Sequence, residues 1–256
     1  EKGDSGRNYF LGDNPFDYVP LFQRYLETTS DTVSLASSYQ LSDSQRFELT
    51  VAHVDYEWGF DSYEASEAAQ QTVFMQDSSI TVDGRYVVGS AEQSFSGYVG
   101  VNYRNRGQDF ASSGSSIYSG DDTTISKSLY GEATWAIQPD LKLTVGGRLM
   151  KEEQQRDFTM LFRGATIDEN MNNGHTIALP KLVLQYDMTG NTALAVSARR
   201  GYNAGGGALL ITDGDYYYYD EESVNTYEFS VRHQNSESRT RLNANLFYNN
   251  FSGYQG

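Results

Sequence analysis

The segment TYEFSVRHQNSESRTRLNANLFYNN, residues 226–250, alternates between apolar and polar side chains. Tyr227, Phe229 and Val231 occupy every second position of its first half, and the alternation resumes over residues 242–248. A period of two is typical of a β-strand with one apolar and one polar face. Two such strands around a polar turn form a hairpin, so the fold must provide something that covers the apolar face.

The same alternation recurs along the chain and predicts about ten strands in an all-β fold. The other strands are predicted at residues 32–39, 47–52, 95–103, 128–137, 141–149, 181–187 and 192–199, with one less regular strand within 68–92. In that last segment, Asp83-Gly84 fits either a hairpin turn or the interior of a strand. The best helical candidate is the short segment 63–71, which we place in a loop.

Composition excludes several classes of protein. Aromatic residues make up 14% of the chain, with 20 Tyr and 13 Phe, whereas disordered chains contain few aromatic residues. The net charge of −15 argues against a nucleic-acid partner, because phosphate binding needs a basic surface. The absence of cysteine excludes disulfide scaffolds and cysteine-based zinc sites. No apolar run reaches the roughly 18 residues of a transmembrane helix.

The predicted connections between strands alternate between short and long. Short polar turns are predicted at 40–45, 138–140, 187–191 and 233–239, and long connections at 59–69, 105–126, 155–175 and 201–222. In an up-and-down sheet, alternate connections fall at opposite ends, as in outer-membrane barrels with short periplasmic turns and long outer loops. Most of the acidic excess falls in the long connections, which makes an anionic ligand less favoured.

A sheet can cover its apolar face with helices, with a second sheet, or with lipid. A tilted strand of about ten residues crosses a bilayer, and aromatic residues near the strand ends fit girdles at the two membrane interfaces. These aromatic residues are Tyr39, Tyr56, Trp58, Tyr103, Trp135, Tyr186 and Tyr248. The pattern favours an antiparallel up-and-down transmembrane β-barrel, and a soluble β-sandwich is the alternative.

Two adjacent stretches carry a resemblance to a known family. The segment SARRGYNAGGG, with Gly201, Tyr202, Gly205 and Gly206, resembles the aromatic-Gly-x-x-Gly-Gly stretch of TonB-dependent outer-membrane receptors. The segment EESVNTYEFSV resembles the strand that follows in those receptors, through Glu222, Tyr227 and Glu228, with Glu221 where the family often has proline. LYGEATWAIQPDLKLTVGGRLMKEEQQ and FELTVAHVDYEW resemble other strands of the family barrel. The resemblance covers roughly residues 30–256.

The resemblance implies a barrel of about 22 strands that is filled by a plug and lies in the bacterial outer membrane. Residues 1–256 are then an internal segment of such a barrel without the plug domain, and residues 1–28 are expected to form an outer loop or to be poorly ordered. The implied function is active transport of a scarce nutrient, with a ferric siderophore as the cargo that family frequency favours. A passive porin, a surface-adhesin barrel and a soluble glycan-binding sandwich are the alternatives.

The resemblance also implies the partners of the chain. These are outer-membrane lipid and lipopolysaccharide, a small nutrient ligand, and the TonB system, which would act through the plug. The implied protein is not an enzyme, and we expect no cofactor in this chain.

The connection after the ninth predicted strand contains the candidate ligand-binding residues. They are Arg199, Arg200, Tyr202, Asn203, Tyr216, Tyr217, Tyr218, Tyr219 and Asp220. Arginines can bind an anionic ligand, and four consecutive tyrosines in an acidic loop offer rings and hydroxyl groups to a bulky one. The glycines at 201–207 predict a bend at the outer rim. We predict no catalytic or metal site, because the three histidines lack the spacing that either site requires.

Overall fold

The structure is a computed structural model that describes residues 2–4, 22–64, 69–90, 93–114, 116–210, 215–235 and 239–253. These residues form thirteen β-strands. The strands are β1 (Lys2–Asp4), β2 (Phe22–Ser42), β3 (Gln45–Glu64), β4 (Ala69–Val88), β5 (Phe95–Gly114), β6 (Ile117–Gln138), β7 (Leu141–Phe162), β8 (Ala165–Thr189), β9 (Thr192–Asn203), β10 (Gly206–Leu210), β11 (Asp215–Tyr219), β12 (Glu222–Asn235) and β13 (Thr240–Ser252). Among the residues described, none forms a helix that could span a membrane.

Eleven of the strands form one antiparallel sheet in the order β1 to β9, β12 and β13. Each strand of this sheet pairs with the next strand of the same sheet along the chain, which confirms the predicted up-and-down topology. The ten long strands of this sheet correspond to the ten predicted from alternation. Asp83 and Gly84 lie inside β4, where Asp83 pairs with Thr50, so they do not form a turn. β10 and β11 form a separate two-stranded ribbon between β9 and β12.

The prediction of long connections is wrong for three of the four segments. β5 and β6 are paired as far as Ser112 and Tyr118, and β7 and β8 as far as Phe162 and Ala165. β3 likewise continues to Glu64, so the helical candidate at 63–71 is a strand wherever it is described. In the outer halves of these strands the apolar-polar alternation from which a strand is recognised is lost. On β7, for example, residues 151–157 are all polar, and the next apolar side chains, Phe158 and Met160, are buried.

The register shows that the two faces of the main sheet are in different environments. The buried side chains all lie on the polar face, and they are Ser62, Val73, Ser79, Ser112, Asp122, Ser128, Phe158, Met160, Met171 and Ile177. The apolar side chains of the alternating segments lie on the opposite face, where Val101 is 60% exposed and Leu129 is 54% exposed. The sheet therefore curves toward its polar face, as the wall of a barrel does. We call the polar face the inner face.

This arrangement excludes the predicted alternative of a β-sandwich. Leu184 and Phe229 on the outer face are 38% and 43% exposed, and Leu143 and Leu194 are only half-buried. A sandwich core would bury these side chains beneath a second sheet. Among the described residues, no second layer lies over the outer face, which favours lipid as the covering material.

The apolar part of the outer face forms a belt about nine residues tall, for example from Phe95 to Tyr103 on β5 and from Leu129 to Ile137 on β6. This length suits a tilted membrane-spanning strand. Tyr39, Trp135 and Tyr186 lie at the edge of the belt near the short turns, while Tyr103 and Tyr248 lie near its other edge.

Two of the aromatic residues predicted to belong to the girdles do not. Tyr56 and Trp58 lie beyond the belt and face inward, opposite Asp77 and Met75. The outer half of β3 has its apolar side chains on the inner face, so its aromatic residues cannot contact lipid.

The segment 1–28 was predicted to be an outer loop or poorly ordered. Residues 1 and 5–21 lie outside the described residues, so the prediction is not tested there. The described part consists of β1, which pairs with β2 at residues 25–27, and the first residues of β2.

Candidate functional site

The basic side chains of the main sheet are concentrated on the inner face. They are Arg46, Arg85, Arg104, Arg106, Lys142, Arg148, Arg156, Lys181, Arg199, Arg232 and Arg241. Acidic partners lie between many of them on the same face. Arg106 bonds to Asp77 at 2.5 Å, and Arg156 pairs with the buried carboxylate of Asp122. These pairs link neighbouring strands and make much of the inner wall polar. Farther from the short turns the same face carries an aromatic cluster of Phe110, Tyr118 and Phe158.

Two of the inner-face contacts cross an intervening strand at a glycine. Lys181 on β8 reaches Glu132 on β6 at 2.6 Å, and the residue between them on β7 is Gly146. Tyr130 on β6 donates a hydrogen bond of 2.7 Å to Asp83 on β4, and its ring lies over Gly100 on β5. A side chain at either glycine would occupy the path of the contact, so these glycines allow bridges between alternate strands.

A cavity of about 390 Å³ lies on the inner face around these bridges. Its described lining includes Arg148, Lys181, Arg199 and Arg200, and Glu132 is the acidic side chain among them. Tyr98 and Tyr130 supply aromatic surface, and the Arg148 guanidinium carbon lies 5.1 Å from the centre of the Tyr130 ring. The cavity lies where β8 and β9 separate, because their pairing ends at Lys181 and Arg199. Its charge and rings suit an anionic ligand with flat surfaces.

Arg199 and Arg200 both border this cavity, although the register places Arg199 on the inner face and Arg200, opposite Asn225, on the outer face. The other candidate ligand-binding residues lie apart from the cavity. Tyr202 lies closer to Glu152 and Glu221, and burial, reinforced by these two carboxylates, raises the pKa of its phenol to about 12. Asn203 ends β9 opposite Glu222.

The predicted tyrosines lie on the ribbon formed by β10 and β11. Tyr217 and Tyr219 are 46% and 38% exposed, whereas Tyr218 is half-buried and Tyr216 has a side chain outside the described part. Asp220 follows the ribbon and is exposed. None of these residues is among the described side chains that line the cavity, so any ligand contact by them involves a second surface.

Tyr98, Tyr130, Arg148 and Lys181 were not predicted as candidate site residues. The sequence did contain one indication that Lys181 lies near Arg199. The two residues are equally far from the short turn near residue 190, so they pair in the hairpin of β8 and β9. The contributions of β5, β6 and β7 depend on the register of three further strand pairs, which the sequence does not specify as well.

The distribution of charged residues between the two faces changes the expectation about the sign of the ligand's charge. Many carboxylates of the outer strand halves lie on the outer face and point away from the interior, namely Glu27, Asp31, Asp55, Glu57, Asp61, Asp109, Asp121, Glu153, Asp157 and Asp168. The inner face has basic side chains in comparable number to its acidic ones. The acidic net charge therefore does not disfavour an anion on the inner face.

The fold is similar to solved structures of outer-membrane receptors. The ferric yersiniabactin uptake receptor from Yersinia pestis matches with a TM-score of 0.77 and 17% identity over 89% of this chain. The ferric-catecholate import receptor from E. coli K12, in its closed form, has a TM-score of 0.71 and 15% identity over 89% of this chain. The chain spans 36% and 41% of the lengths of these two proteins.

The siderophore receptor from Acinetobacter baumannii gives a similar result, with a TM-score of 0.65 and 12% identity over 88% of this chain and 40% of that protein. At these identities the matches establish the fold. The family model described as "TonB dependent receptor-like, beta-barrel" matches residues 2–256, which is nearly the whole chain and confirms the resemblance found in its motifs. The chain belongs to the TonB-dependent receptor-like β-barrel family of the bacterial outer membrane.

Proposed function

We propose that the protein containing this chain is an outer-membrane active transporter for a ferric siderophore, energised through TonB. The family consists of transport receptors and not of enzymes. The similar solved structures include receptors for ferric yersiniabactin, for ferric catecholates and for siderophores. Energy would reach the barrel from TonB through the plug of the whole receptor, so this chain needs no cofactor.

The observation that carries the cargo assignment is the cationic cavity on the inner face. Iron chelators that bind through carboxylate or catecholate oxygens form anionic complexes with flat aromatic or chelate surfaces. Arg148 and Arg199 offer guanidinium groups to such oxygens, and Tyr98 and Tyr130 offer ring faces. Charge-assisted hydrogen bonds of this kind are about twice as strong as neutral ones, so a few of them suffice to select an anion.

The test is uptake of radiolabelled ferric siderophores by cells that express the full-length receptor as their sole route for each compound. We expect the double variant Arg148→Gln/Arg199→Gln to raise the half-saturating concentration about tenfold, since each substitution removes a charged hydrogen-bond donor. Arg241→Gln is the matched control, because Arg241 faces inward on the edge strand β13, away from the cavity. Heat-modifiable migration would show equal amounts of folded receptor.

Two results would contradict the proposal in different ways. If no ferric siderophore depends on the receptor for uptake, the cargo class is wrong. If uptake is receptor-dependent but the double variant and Arg241→Gln are indistinguishable from the unchanged receptor, the cargo class survives and the cavity is not its binding site.

The upper edge of the apolar belt supports lipopolysaccharide as a second partner. Lys127 and Lys151 face each other across β6 and β7 on the outer face, immediately beyond Leu129 and Leu149. Directly opposed like charges are destabilising in a sheet. Lys151 bonds to Glu153 at 2.5 Å and lowers the pKa of that carboxyl, but one carboxylate cannot neutralise two ammonium groups. We therefore infer that a lipopolysaccharide phosphate binds between the two lysines.

Replacing both lysines by glutamine is expected to lower the lipopolysaccharide that copurifies with the full-length receptor several-fold. A lysine near an anionic lipid surface contributes about 1 kcal/mol. The matched control is Lys142→Gln, which removes an inner-face lysine. Quantification of bound phosphate and 3-hydroxy fatty acids measures the effect, and an equal loss in the Lys142 variant would reject the assignment.

A further inference from the structure

A depression on the outer face of β2, β3 and β4 is not used by the transport function. Gly59 occupies its centre. The eight outer-face positions around it are Thr29, Glu57 and Gln76 in one row, Glu27 and Phe74 beside Gly59, and Tyr25, Asp61 and Thr72 in the next row. Because glycine has no side chain, the centre of this three-by-three arrangement is a depression, beside which the Phe74 ring lies within 3.9 Å of where a Cβ would be. We call this depression the Gly59 cup.

The volume of the Gly59 cup, about 660 Å³, is that of a small-molecule site. Strands are about 4.8 Å apart, and outer-face residues repeat about every 6.7 Å along a strand, so the carboxylates of Glu57 and Asp61 flank Gly59 from opposite sides. Phe74 is 42% exposed and Tyr25 is 59% exposed. On the opposite, inner face of β3, Trp58 and Phe60 pack edge-to-face with ring centres 5.6 Å apart, so the floor of the cup is the strand backbone.

The chemistry of the lining points to a cation. Glu27, Glu57 and Asp61 line the cup, and its described lining contains no basic side chain. Asp61 accepts a hydrogen bond of 2.7 Å from Thr72, which orients its carboxylate without neutralising it. Lys2 is opposite Glu27 in the register, on the side away from Gly59. The negative charge that attracts a cation is therefore that of Glu57 and Asp61, which are both on β3.

The spacing of these groups distinguishes an organic cation from a metal ion. The described residues contain no group of three or more acidic or histidine side chains close enough to hold a metal. An ammonium group above Gly59 instead fits between carboxylates on two sides, and its alkyl stem fits against the rings. Aromatic faces attract such cations through their negative quadrupole.

The position of the cup indicates where the ligand comes from. Gly59 is eight residues beyond Val51, the last apolar outer-face residue of β3, which is roughly 26 Å along the strand. The cup therefore lies outside the bilayer and faces the external medium. We propose that the Gly59 cup binds a small organic alkylammonium compound from outside the cell, separately from the cargo on the inner face.

The experiment uses the full-length receptor in detergent micelles, with cadaverine as the probe and 1,5-pentanediol as its uncharged analogue. Titration calorimetry at low salt is expected to show saturable binding of cadaverine and none of the diol. Glu57→Gln should weaken cadaverine binding about fivefold, in line with an exposed charge pair, and Glu57→Gln/Asp61→Asn should weaken it further. Phe74→Leu, which keeps the apolar volume but removes the ring, should weaken it about threefold.

The control variant is Asp157→Asn, which removes an exposed carboxylate of the outer face on β7. It should bind cadaverine as the unchanged receptor does. The proposal is overturned if cadaverine fails to bind, if the diol binds equally well, or if Asp157→Asn weakens binding as much as Glu57→Gln. Siderophore uptake should be unaffected by Glu57→Gln, so this result is independent of the transport test.

Discussion

Replacement of Leu184 by arginine is expected to destabilise the folded barrel by about 2–4 kcal/mol, the cost of an arginine on the lipid face near the bilayer midplane. Leu184 lies in the middle of the apolar belt on β8, between Leu143 on β7 and Val196 on β9. Its side chain is 38% exposed, and in the membrane this exposed surface contacts acyl chains. A guanidinium group there loses its hydration without gaining a partner.

The matched control is Gln185→Arg, which places the same charge at the same depth but on the inner face. Gln185 lies in the polar environment of the barrel interior and donates a hydrogen bond of 2.8 Å to Asp187. We expect this variant to lose less than about 1 kcal/mol. Urea titration of the full-length receptor folded into lipid vesicles measures both values. Equal costs for the two variants would mean that the outer face of β8 does not contact lipid.

The membrane-spanning half of this fold was predictable because only one of its faces contacts lipid. Between Leu141 and Leu149, for example, every second residue must be apolar or glycine while the others are free to be polar, and a period of two results. The outer half of the same strand, through Phe162, lies beyond the apolar belt, so neither of its faces has to be apolar. Its inner face even holds Phe158 and Met160, which are buried against neighbouring strands, so the apolar residues there follow the local packing of the hairpin.

The candidate site was only partly predictable for a similar reason. Arg199 and Arg200 were singled out because they precede a glycine-rich bend, and both line the inner-face cavity. Arg148 and Lys181 come from other hairpins and reach the cavity only through the register of β7 with β8 and of β8 with β9. The tyrosines were chosen because four of them are consecutive in an acidic loop. This feature of the sequence does not specify where the ribbon of β10 and β11 projects. A ligand-binding role for any of these residues stays a prediction.

Replacement of Asp122 by alanine is expected to cost about 3 kcal/mol, because it leaves a buried cation without its carboxylate. The Asp122 side chain is 2% exposed and that of Arg156 is 17% exposed. The Asp122 carboxylate accepts a hydrogen bond of 2.9 Å from the Arg156 Nε and one of 3.2 Å from the Thr124 hydroxyl. Gln154 donates a further hydrogen bond of 3.3 Å. The substitution therefore removes the acceptor at the centre of a network that joins β6 to β7.

A double variant separates two contributions to this loss of stability. One is the cost of burying Arg156 without the Asp122 carboxylate, and the other is the loss of the attraction between the two side chains. In Asp122→Ala/Arg156→Met the cation is also removed, and much of the stability should return, because an apolar side chain of similar length needs no partner there. Asp187→Ala is the control, since its ion pair with Lys142 spans 3.5 Å between side chains that are 33% and 36% exposed, and it should cost less than about 1 kcal/mol. If the double variant were as unstable as Asp122→Ala, the loss would come from the cavity left by the carboxylate, and desolvation of Arg156 would not be its cause.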